Sequence, residues 1–287
     1  VQVKMESLNP TGSFKDRGAA LLVAALRAAG VDEVVEDSSG NAGAALSAYS
    51  ARAGLNATVY VPGHASAVKQ SQIAVYGANV VTVQGSRTDA SRAVKRAVDE
   101  GAVYASHAYS PLYAHGMKTV AYELWEQCGG SSPASVVVPL GQGGLLLGLD
   151  MGFDELLQAE LIDRRPKLLG VQAQACAPLA KAWEEGATEA EPVNEGDTVA
   201  GGVRIAAPAW GRQVLAAVRR SEGEIVAVSD ERTMAAQRQL ARRGIYVEPT
   251  SALPVAALDL LGGGRGSVLE SPIVVVLTGS GFKSPRL

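Results

Sequence analysis

Short apolar runs alternate with helical patterns along the whole of this 287-residue chain, and this alternation constrains its fold more than any other feature. Apolar runs that are bounded by glycine-rich turns and separated by stretches of helical periodicity are typical of βαβ units. The runs lie at Ala57–Val61, Val80–Val83, Val136–Val138, Leu168–Val171, Ile225–Val228 and Ile273–Leu277. The pattern predicts an α/β fold with open, twisted, mostly parallel sheets flanked by helices.

The length of the chain predicts more than one compact unit. We expect an N-terminal lobe over residues 1–110 and a C-terminal lobe over residues 111–287. The chain opens at Val1 rather than at a methionine, and its first six residues resemble a strand that is entered midway. We therefore expect that a native N-terminal segment precedes this sequence.

The segment Asn9–Gly18 places one lysine at the start of a predicted helix. Ser13 is a favourable N-cap residue, and Asp16, three residues later, predicts a capping box. The apolar stretch Ala19–Ala29 then continues the helix. Lys15 therefore falls in the first helical turn, where the helix dipole disfavours a cation. A lysine biased towards the neutral amine is what Schiff-base chemistry requires, so Lys15 is the predicted catalytic residue.

Two further glycine-rich turns join a strand to a helix. Glu36–Gly43 follows the apolar pair Val34–Val35 and precedes a predicted helix over Ala44–Ala53. Leu140–Leu145 follows a buried apolar run and precedes a predicted helix that ends near Leu157. In each turn, backbone N–H groups and the positive end of a helix dipole face one point. Both turns therefore suit a phosphate or a carboxylate.

Two common nucleotide-binding motifs are not present in full. The chain has no Gly-x-x-x-x-Gly-Lys-Ser/Thr string, so it has no P-loop. The dinucleotide fingerprint would need a third glycine where the chain has Leu146, and no convincing acidic partner follows the next strand. A lysine combined with a phosphate-binding turn instead suggests pyridoxal phosphate as the cofactor.

Five motifs occur together in one order: Asn9–Gly18, Ser38–Gly43, Gly141–Leu145, Val247–Ala252 and Leu277–Lys283. In this order they resemble the fold-type-II pyridoxal-phosphate enzymes, the tryptophan synthase β-like superfamily, and within it threonine synthases most of all. The resemblance covers nearly the whole chain. It implies the two-lobed architecture of that fold type and a lyase that uses pyridoxal 5'-phosphate for elimination or replacement on an amino acid.

The resemblance also implies a role for each site residue. Lys15 would form the Schiff base with the cofactor, and Thr278 would meet its pyridine nitrogen. Asn41 would hydrogen-bond the phenolic oxygen of the cofactor and, with Ser38 and Ser39, would contact the substrate. The cofactor phosphate would lie on the turn formed by Gly141, Gln142, Gly143, Gly144 and Leu145. Because a threonine hydroxyl does not hold the pyridine nitrogen protonated, elimination and replacement would be favoured over transamination.

One segment departs from the threonine synthase pattern. Upstream of the motif at Gly116–Thr119, threonine synthases carry an asparagine, a proline and an arginine that help to bind the phosphate of O-phosphohomoserine. Here Ser110 and Tyr113 stand in place of the asparagine and the arginine. Tyrosine cannot replace the bidentate contact that arginine makes with phosphate. The predicted substrate-contacting residues of this region are Ser110, Tyr113 and Lys118, with His107 and His115 as further candidates.

The leading hypothesis is a threonine synthase, which converts O-phosphohomoserine and water to threonine and phosphate. A serine or threonine dehydratase remains an alternative, because the Gly-Gln-Gly-Gly-Leu phosphate turn is closer to that of the dehydratases. A dehydratase stops at β-elimination and releases an oxo acid and ammonia. A catalytically silent binding protein of the same fold is a third hypothesis, and the intact Lys15, Asn41 and Thr278 argue against it.

The composition of the chain argues against several classes of binding partner. A net charge of −3 gives no electrostatic case for nucleic acid or an anionic membrane. No apolar stretch approaches the about 20 residues that a membrane-spanning helix needs. The two cysteines, Cys128 and Cys176, do not form a disulfide framework. We expect a cytoplasmic homodimer that acts on a small amino acid, with no nucleic-acid or membrane partner and no metal site.

Overall fold

A computed structural model of the chain describes residues 1–63, 65, 67–263 and 267–283. The chain divides into two compact units. The smaller unit is Leu8–Gly116, and the larger unit is Val1–Ser7 together with Met117–Leu287.

Strands and helices alternate through most of the described residues. In chain order they are β1 (Gln2–Lys4), α1 (Lys15–Ala28), β2 (Glu33–Glu36), α2 (Asn41–Ala53), β3 (Asn56–Pro62), α3 (Ala67–Val75), β4 (Asn79–Val83), α4 (Arg87–Asp99), β5 (Val103–Tyr104), α5 (Pro111–Met117), α6 (Thr119–Gln127), β6 (Ser135–Pro139), α7 (Gly144–Gln158), β7 (Lys167–Ala173), α8 (Pro178–Glu184), α9 (Gly211–Arg220), β8 (Glu224–Val228), α10 (Asp230–Arg242), α11 (Pro249–Ala256), α12 (Leu258–Gly262) and β9 (Ile273–Val276). Short 3-10 turns lie at Glu6–Leu8, Gly201–Val203 and Gly281–Lys283.

The smaller unit contains a four-stranded parallel sheet in the order β4-β3-β2-β5. Residues on β3 and the helices above it form its core, where Ala44, Val59, Val61 and Ile73 are buried together. Because β2 and β5 are parallel neighbours, the loops that follow them leave the same edge of the sheet. These loops carry the Ser38 turn and His107.

The larger unit contains a five-stranded parallel sheet in the order β1-β9-β6-β7-β8. The first strand pairs with the last, Lys4 opposite Val276, which explains why the first residues belong to this unit. Buried residues of the central strands, such as Val137, Leu169 and Val275, pack with Leu253 of α11 in the core. Since β6 and β9 are also parallel neighbours, the Gly141 turn and Thr278 follow strands that end at one edge of the sheet.

The predicted α/β class, with mostly parallel sheets flanked by helices, is confirmed. Each of the six apolar runs lies largely within a strand. The helix predicted over Ala44–Ala53 begins earlier, at Asn41, so Asn41 lies in its first turn. Among the described helices, none is both long and apolar enough to cross a membrane.

Candidate active-site residues

Lys15 is the first residue of α1, in the first helical turn as the sequence predicts, and it is half-buried. The capping box predicted around it is wrong. Phe14 rather than Ser13 is the N-cap residue, no side chain caps the helix, and the buried Ser13 hydroxyl has no hydrogen-bond partner among the described residues. The Asp16 carboxylate instead accepts hydrogen bonds from Thr11, from its N–H at 2.7 Å and from its hydroxyl. The Asp16 carboxylate therefore stabilises the loop that precedes Lys15 and does not cap the helix.

Aromatic rings lie around the Lys15 amine. Its Nζ is 5.0 Å from the centre of the Phe14 ring and 5.5 Å from the centre of the Tyr113 ring. The Tyr113 hydroxyl donates a hydrogen bond of 2.9 Å to the main-chain oxygen of Lys15. Burial raises the pKa of Tyr113, and the charges of Glu36 and Asp16 raise it further, so the phenol keeps its proton. Tyr113, a predicted substrate residue, is thus engaged with Lys15 in this unit.

The turn that carries Ser38 is held tightly against the start of α2. Ser38 is buried, while Ser39 and Asn41 are half-buried. A Cβ at Gly43 would overlap the main-chain oxygen of Ser38, so only glycine lets the turn approach the helix this closely. The Gly40 N–H points to Ser38 Oγ at 3.4 Å. This arrangement places the backbone N–H groups of a helix start beside two serines, which suits a carboxylate.

The sequence analysis missed an acidic pair at the end of β2, formed by the buried Glu36 and the half-buried Asp37. Glu36 Oε1 accepts from the Asp37 N–H at 3.0 Å, and Glu36 Oε2 from the His107 N–H at 3.1 Å. The His107 ring Nδ1 lies 3.2 Å from Glu36 Oε1. Burial raises the pKa of Glu36, although the hydrogen bonds lower it in part. Burial and then the charge of Glu36 raise the pKa of Asp37, which accepts a hydrogen bond of 2.7 Å from Tyr104.

In the larger unit, the Gly141 turn leads directly into α7. Gly143 is the N-cap residue and has a left-handed φ of 93°, which favours glycine. A Cβ at Gly143 would overlap Val214, whereas a Cβ at Gly144 would meet no atom within 4 Å. Gln142 Oε1 accepts a hydrogen bond of 2.9 Å from the Ala209 N–H, so its side chain holds a neighbouring loop. The Leu145 side chain is buried, which leaves its backbone as the polar group of this residue. The start of this 15-residue helix is a suitable site for a phosphate.

Thr278 follows β9, and its side chain is buried beside that of Ser251. Ser251 belongs to the Val247–Ala252 motif, but the sequence analysis assigned it no role of its own. The two side-chain oxygens are 3.0 Å apart. Ser251 Oγ also accepts the Gly279 N–H at 2.6 Å. A Cβ at Gly279 would overlap the Glu248 carboxylate, so this turn is closely packed.

The remaining predicted residues have other partners. Lys118 is the N-cap residue of α6, and its Nζ pairs with Glu155 Oε1 at 2.6 Å. Ser110 precedes α5, and its main-chain oxygen accepts from the Tyr113 N–H at 3.1 Å. His115 is exposed on α5. In the part of the chain that the structure describes, no group of three or more His, Cys, Asp or Glu side chains could hold a metal ion.

Comparison with known proteins identifies the family. The profile of the family described as "Pyridoxal-phosphate dependent enzyme" matches residues 1–279. The chain belongs to this family. The predicted membership of the fold-type-II pyridoxal-phosphate enzymes and the predicted cofactor are therefore confirmed.

The proteins similar to this pyridoxal-phosphate enzyme include threonine synthases and a threonine deaminase. The threonine synthase of Methanocaldococcus jannaschii is 38% identical over 285 residues, which cover 99% of this chain and 70% of that protein. The threonine synthase of Methanosarcina acetivorans is 35% identical over 286 residues, covering 99% and 71%. The crystal structure of a threonine deaminase from T.th. aligns with a TM-score of 0.82 and 30% identity, over 97% of this chain and 86% of that chain.

Proposed function

We propose that this chain is a threonine synthase, which converts O-phosphohomoserine and water to threonine and phosphate. The similarity to threonine synthases, 38% identity to one of them over 99% of the chain, carries the proposal. The identity to the T.th. threonine deaminase is lower, at 30%. The dependence on pyridoxal phosphate follows from the family, and the lyase class follows from the threonine synthase relatives.

The described residues fit the cofactor. In our proposal, Lys15 carries it covalently, and Gly141, Gln142, Gly143, Gly144 and Leu145 hold its phosphate. The fit of the phosphate rests on the start of α7, where a Cβ at Gly144 would meet nothing within 4 Å. Thr278 would contact the pyridine nitrogen with its buried hydroxyl, and Asn41 the phenolic oxygen. When bound, pyridoxal phosphate supplies an electron sink that stabilises negative charge at the α carbon of the substrate.

The side chains of the smaller unit would bind the substrate and move its protons. Ser38, Ser39 and the backbone N–H groups at the start of α2 would hold the substrate carboxylate. The Lys15 amine would take the proton from the α carbon and return protons to the carbon chain as phosphate leaves the γ carbon and water adds at the β carbon. An amine can act as a general base only in its neutral form, which is why its surroundings matter.

The first experiment tests the residue that carries the cofactor. The purified protein, reduced with borohydride and digested, should yield a cofactor-modified peptide that contains Lys15. Lys4, which pairs with Glu123, and Lys118, which pairs with Glu155, serve as internal controls. Modification of either of these lysines in place of Lys15 would overturn the assignment.

The second experiment tests the reaction. The protein is assayed separately with O-phosphohomoserine, threonine and serine. A threonine synthase should release threonine and phosphate in equal amounts from O-phosphohomoserine. The similarity to a threonine deaminase favours the dehydratase alternative. This alternative would be supported if only serine or threonine reacted and an oxo acid appeared. No reaction with any of the three, despite cofactor on Lys15, would support the catalytically silent hypothesis.

We further propose that the enzyme works as a homodimer in the cytoplasm. Light scattering of the purified protein would measure its mass directly. A monomer at assay concentrations, or recovery of the native protein in a membrane fraction, would contradict this proposal.

A further inference from the structure

Tyr113 contacts both the main chain and the amine of Lys15, and neither contact is part of the substrate role that the sequence suggests for it. Its hydroxyl donates to the Lys15 main-chain oxygen at 2.9 Å, and the Lys15 Nζ lies 5.5 Å from the centre of its ring. The side chain is 3% exposed. Since the donor of the phenol is already engaged with Lys15, Tyr113 lacks a free donor for an anionic substrate group.

Two glycines make this contact possible by letting α5 lie directly on α1. A Cβ at Gly18 would overlap the Tyr113 ring and would lie 2.7 Å from its Cγ. A Cβ at Gly116 would overlap the Arg17 main-chain oxygen and would lie 2.8 Å from Gly18 Cα. Any larger residue at either position would separate the helices and withdraw the ring from Lys15.

The ring also lies within the range of a cation–π contact, which reaches to about 6 Å from the ring centre. The centre of the Phe14 ring is 5.0 Å from the same Nζ, so this ring restricts the movement of the amine from a second side. A lysine side chain is flexible, and it must be confined before its amine can attack a carbonyl in a defined geometry.

We propose that Tyr113 is a positioning residue for Lys15. Its hydroxyl fixes the first turn of α1, and its ring holds the amine in one orientation for reaction with the cofactor aldehyde. The inference rests on the proposed role of Lys15 as the residue that carries the cofactor. Tyr113 stands where threonine synthases carry an arginine, and this proposal gives it a role other than phosphate binding.

The test separates the ring from the hydroxyl with two variants. Tyr113→Phe keeps the ring and removes only the hydroxyl, and Tyr113→Leu removes both. Two rates are measured on cofactor-free protein: attachment of pyridoxal phosphate to Lys15, trapped with borohydride, and acetylation of Lys15 by acetic anhydride, read from the peptide mass spectrum. Lys69 and Lys95 act as reference lysines within the same sample.

Opposite changes in the two rates are the expected result. In Tyr113→Leu, attachment should slow by about tenfold because the amine is no longer confined, while acetylation should rise because the ring no longer covers the amine. Tyr113→Phe should restore the acetylation rate of the wild type and recover most of the attachment rate. Unchanged rates in Tyr113→Leu, or equal effects of the two substitutions, would overturn the role of the ring.

Two controls keep the test decisive. Tyr104→Phe removes another phenol hydroxyl of the same unit, one that bonds Asp37, and should leave the acetylation of Lys15 unchanged. If Tyr113→Leu does not fold, NMR of the wild-type protein still tests the contact, since Lys15 side-chain protons must show Overhauser effects to the Tyr113 ring. Their absence would overturn the proposal. Cofactor on another lysine would contradict the proposed function instead, whatever the acetylation of Lys15 shows.

Discussion

Ser251 and Thr278 form a buried pair of hydroxyls whose oxygens are 3.0 Å apart. Ser251 Oγ accepts the Gly279 N–H at 2.6 Å and lies 3.1 Å from the Gly279 oxygen. A hydroxyl carries a single hydrogen, so Ser251 can donate either to Thr278 or to Gly279 but not to both. Only when Ser251 donates to Thr278 is the Thr278 hydrogen available for an acceptor such as an unprotonated pyridine nitrogen. The direction in which Ser251 donates its hydrogen therefore determines whether Thr278 can donate its own to another acceptor.

Thr278→Val should impair cofactor function while keeping the shape of the site. The substitution removes one partner of Ser251 and the proposed contact to the pyridine nitrogen. Because the Ser251 hydroxyl keeps its hydrogen bonds with Gly279, the loss of the bond to Thr278 should cost about 0.5–1.5 kcal/mol of stability. We expect a lower urea midpoint, a shifted cofactor absorption band and reduced turnover. Thr278→Ser retains a hydroxyl and should recover the spectrum. Full turnover with an unchanged spectrum in the valine variant would end this assignment.

Gly144→Asp should weaken cofactor binding without harming the fold. A Cβ at this position would meet no atom within 4 Å, and an acidic residue in the first turn stabilises a helix by about 0.3–1 kcal/mol. The same negative charge would repel the cofactor phosphate. We expect a cofactor dissociation constant raised by about tenfold or more, with an unchanged or higher unfolding midpoint.

Gly144→Asn is the matched control, since it has nearly the same size but no charge, and it should bind the cofactor more tightly than the aspartate variant. Equal affinities for the two variants would place the phosphate elsewhere. Gly143 is a poorer test position, because its left-handed φ of 93° and its contact with Val214 make any side chain destabilising.

Much of the fold was predictable because buried parallel strands are continuous apolar runs. The runs at Val136–Val138 and Leu168–Val171 lie at neighbouring central positions of the larger sheet, where both faces are covered. The edge strand β5, Val103–Tyr104, was not predicted, since two residues cannot show a period. The capping box failed for a different reason. The carboxylate of Asp16 had a competing donor in Thr11, five residues earlier, and a local spacing rule does not include it.

The site was predictable where a motif fixes backbone geometry. The Gly141–Leu145 turn follows from its glycines and the strand before it. The position of Lys15 in the first turn of α1 follows from the apolar stretch behind it, although the capping box expected there is wrong. Partners that are distant in sequence were not accessible. Glu36 lies beside His107 because β2 and β5 are neighbouring strands, and Ser251 lies beside Thr278 because α11 packs against β9. The individual roles of these residues in binding remain predictions.

Glu36→Gln should make the stability of the cofactor-free protein less dependent on pH. The pKa of Glu36 is raised above 4.5, so the folded state holds this proton more tightly than the unfolded chain does. Its contribution to stability is therefore fully present below that value and is lost as the pH rises through the raised pKa. Asp37, whose pKa is raised by burial and then by the charge of Glu36, should follow the same trend, while the charge of Lys15 lowers the pKa of Glu36 in part.

The measurement is the urea midpoint of wild type and Glu36→Gln at pH 5 and pH 8. We expect the difference in favour of the glutamine variant to grow with pH, by about 1.4 kcal/mol for each unit by which the pKa of Glu36 is raised. Glu33→Gln, at an exposed position of the same strand, is the control and should show no such trend. A constant difference between wild type and the Glu36 variant would mean that Glu36 folds in its ionised form.

The last prediction concerns the distal phosphate of the substrate. Of the three cationic candidates in this region, Lys118 is paired with Glu155 at 2.6 Å, and His115 is exposed. His107 is held by Glu36, and its ring centre lies 6.1 Å from that of Tyr113, whose ring faces the Lys15 amine. His107 is therefore the candidate that is linked, through the Tyr113 ring, to Lys15, the proposed catalytic lysine.

His107→Gln should raise the KM for O-phosphohomoserine selectively. A hydrogen bond to a charged group contributes about 1.5–3 kcal/mol, which predicts a change of at least about tenfold. The values of kcat/KM for 2-aminobut-3-enoate, the same carbon chain without the phosphate, should stay near those of the wild type. His115→Gln provides the control and should affect neither substrate. If His107→Gln impaired both substrates equally, His107 would serve the structure of the Glu36 pair. If it impaired neither, the phosphate would be bound by other groups, because the histidine would then make no contact that distinguishes the two substrates.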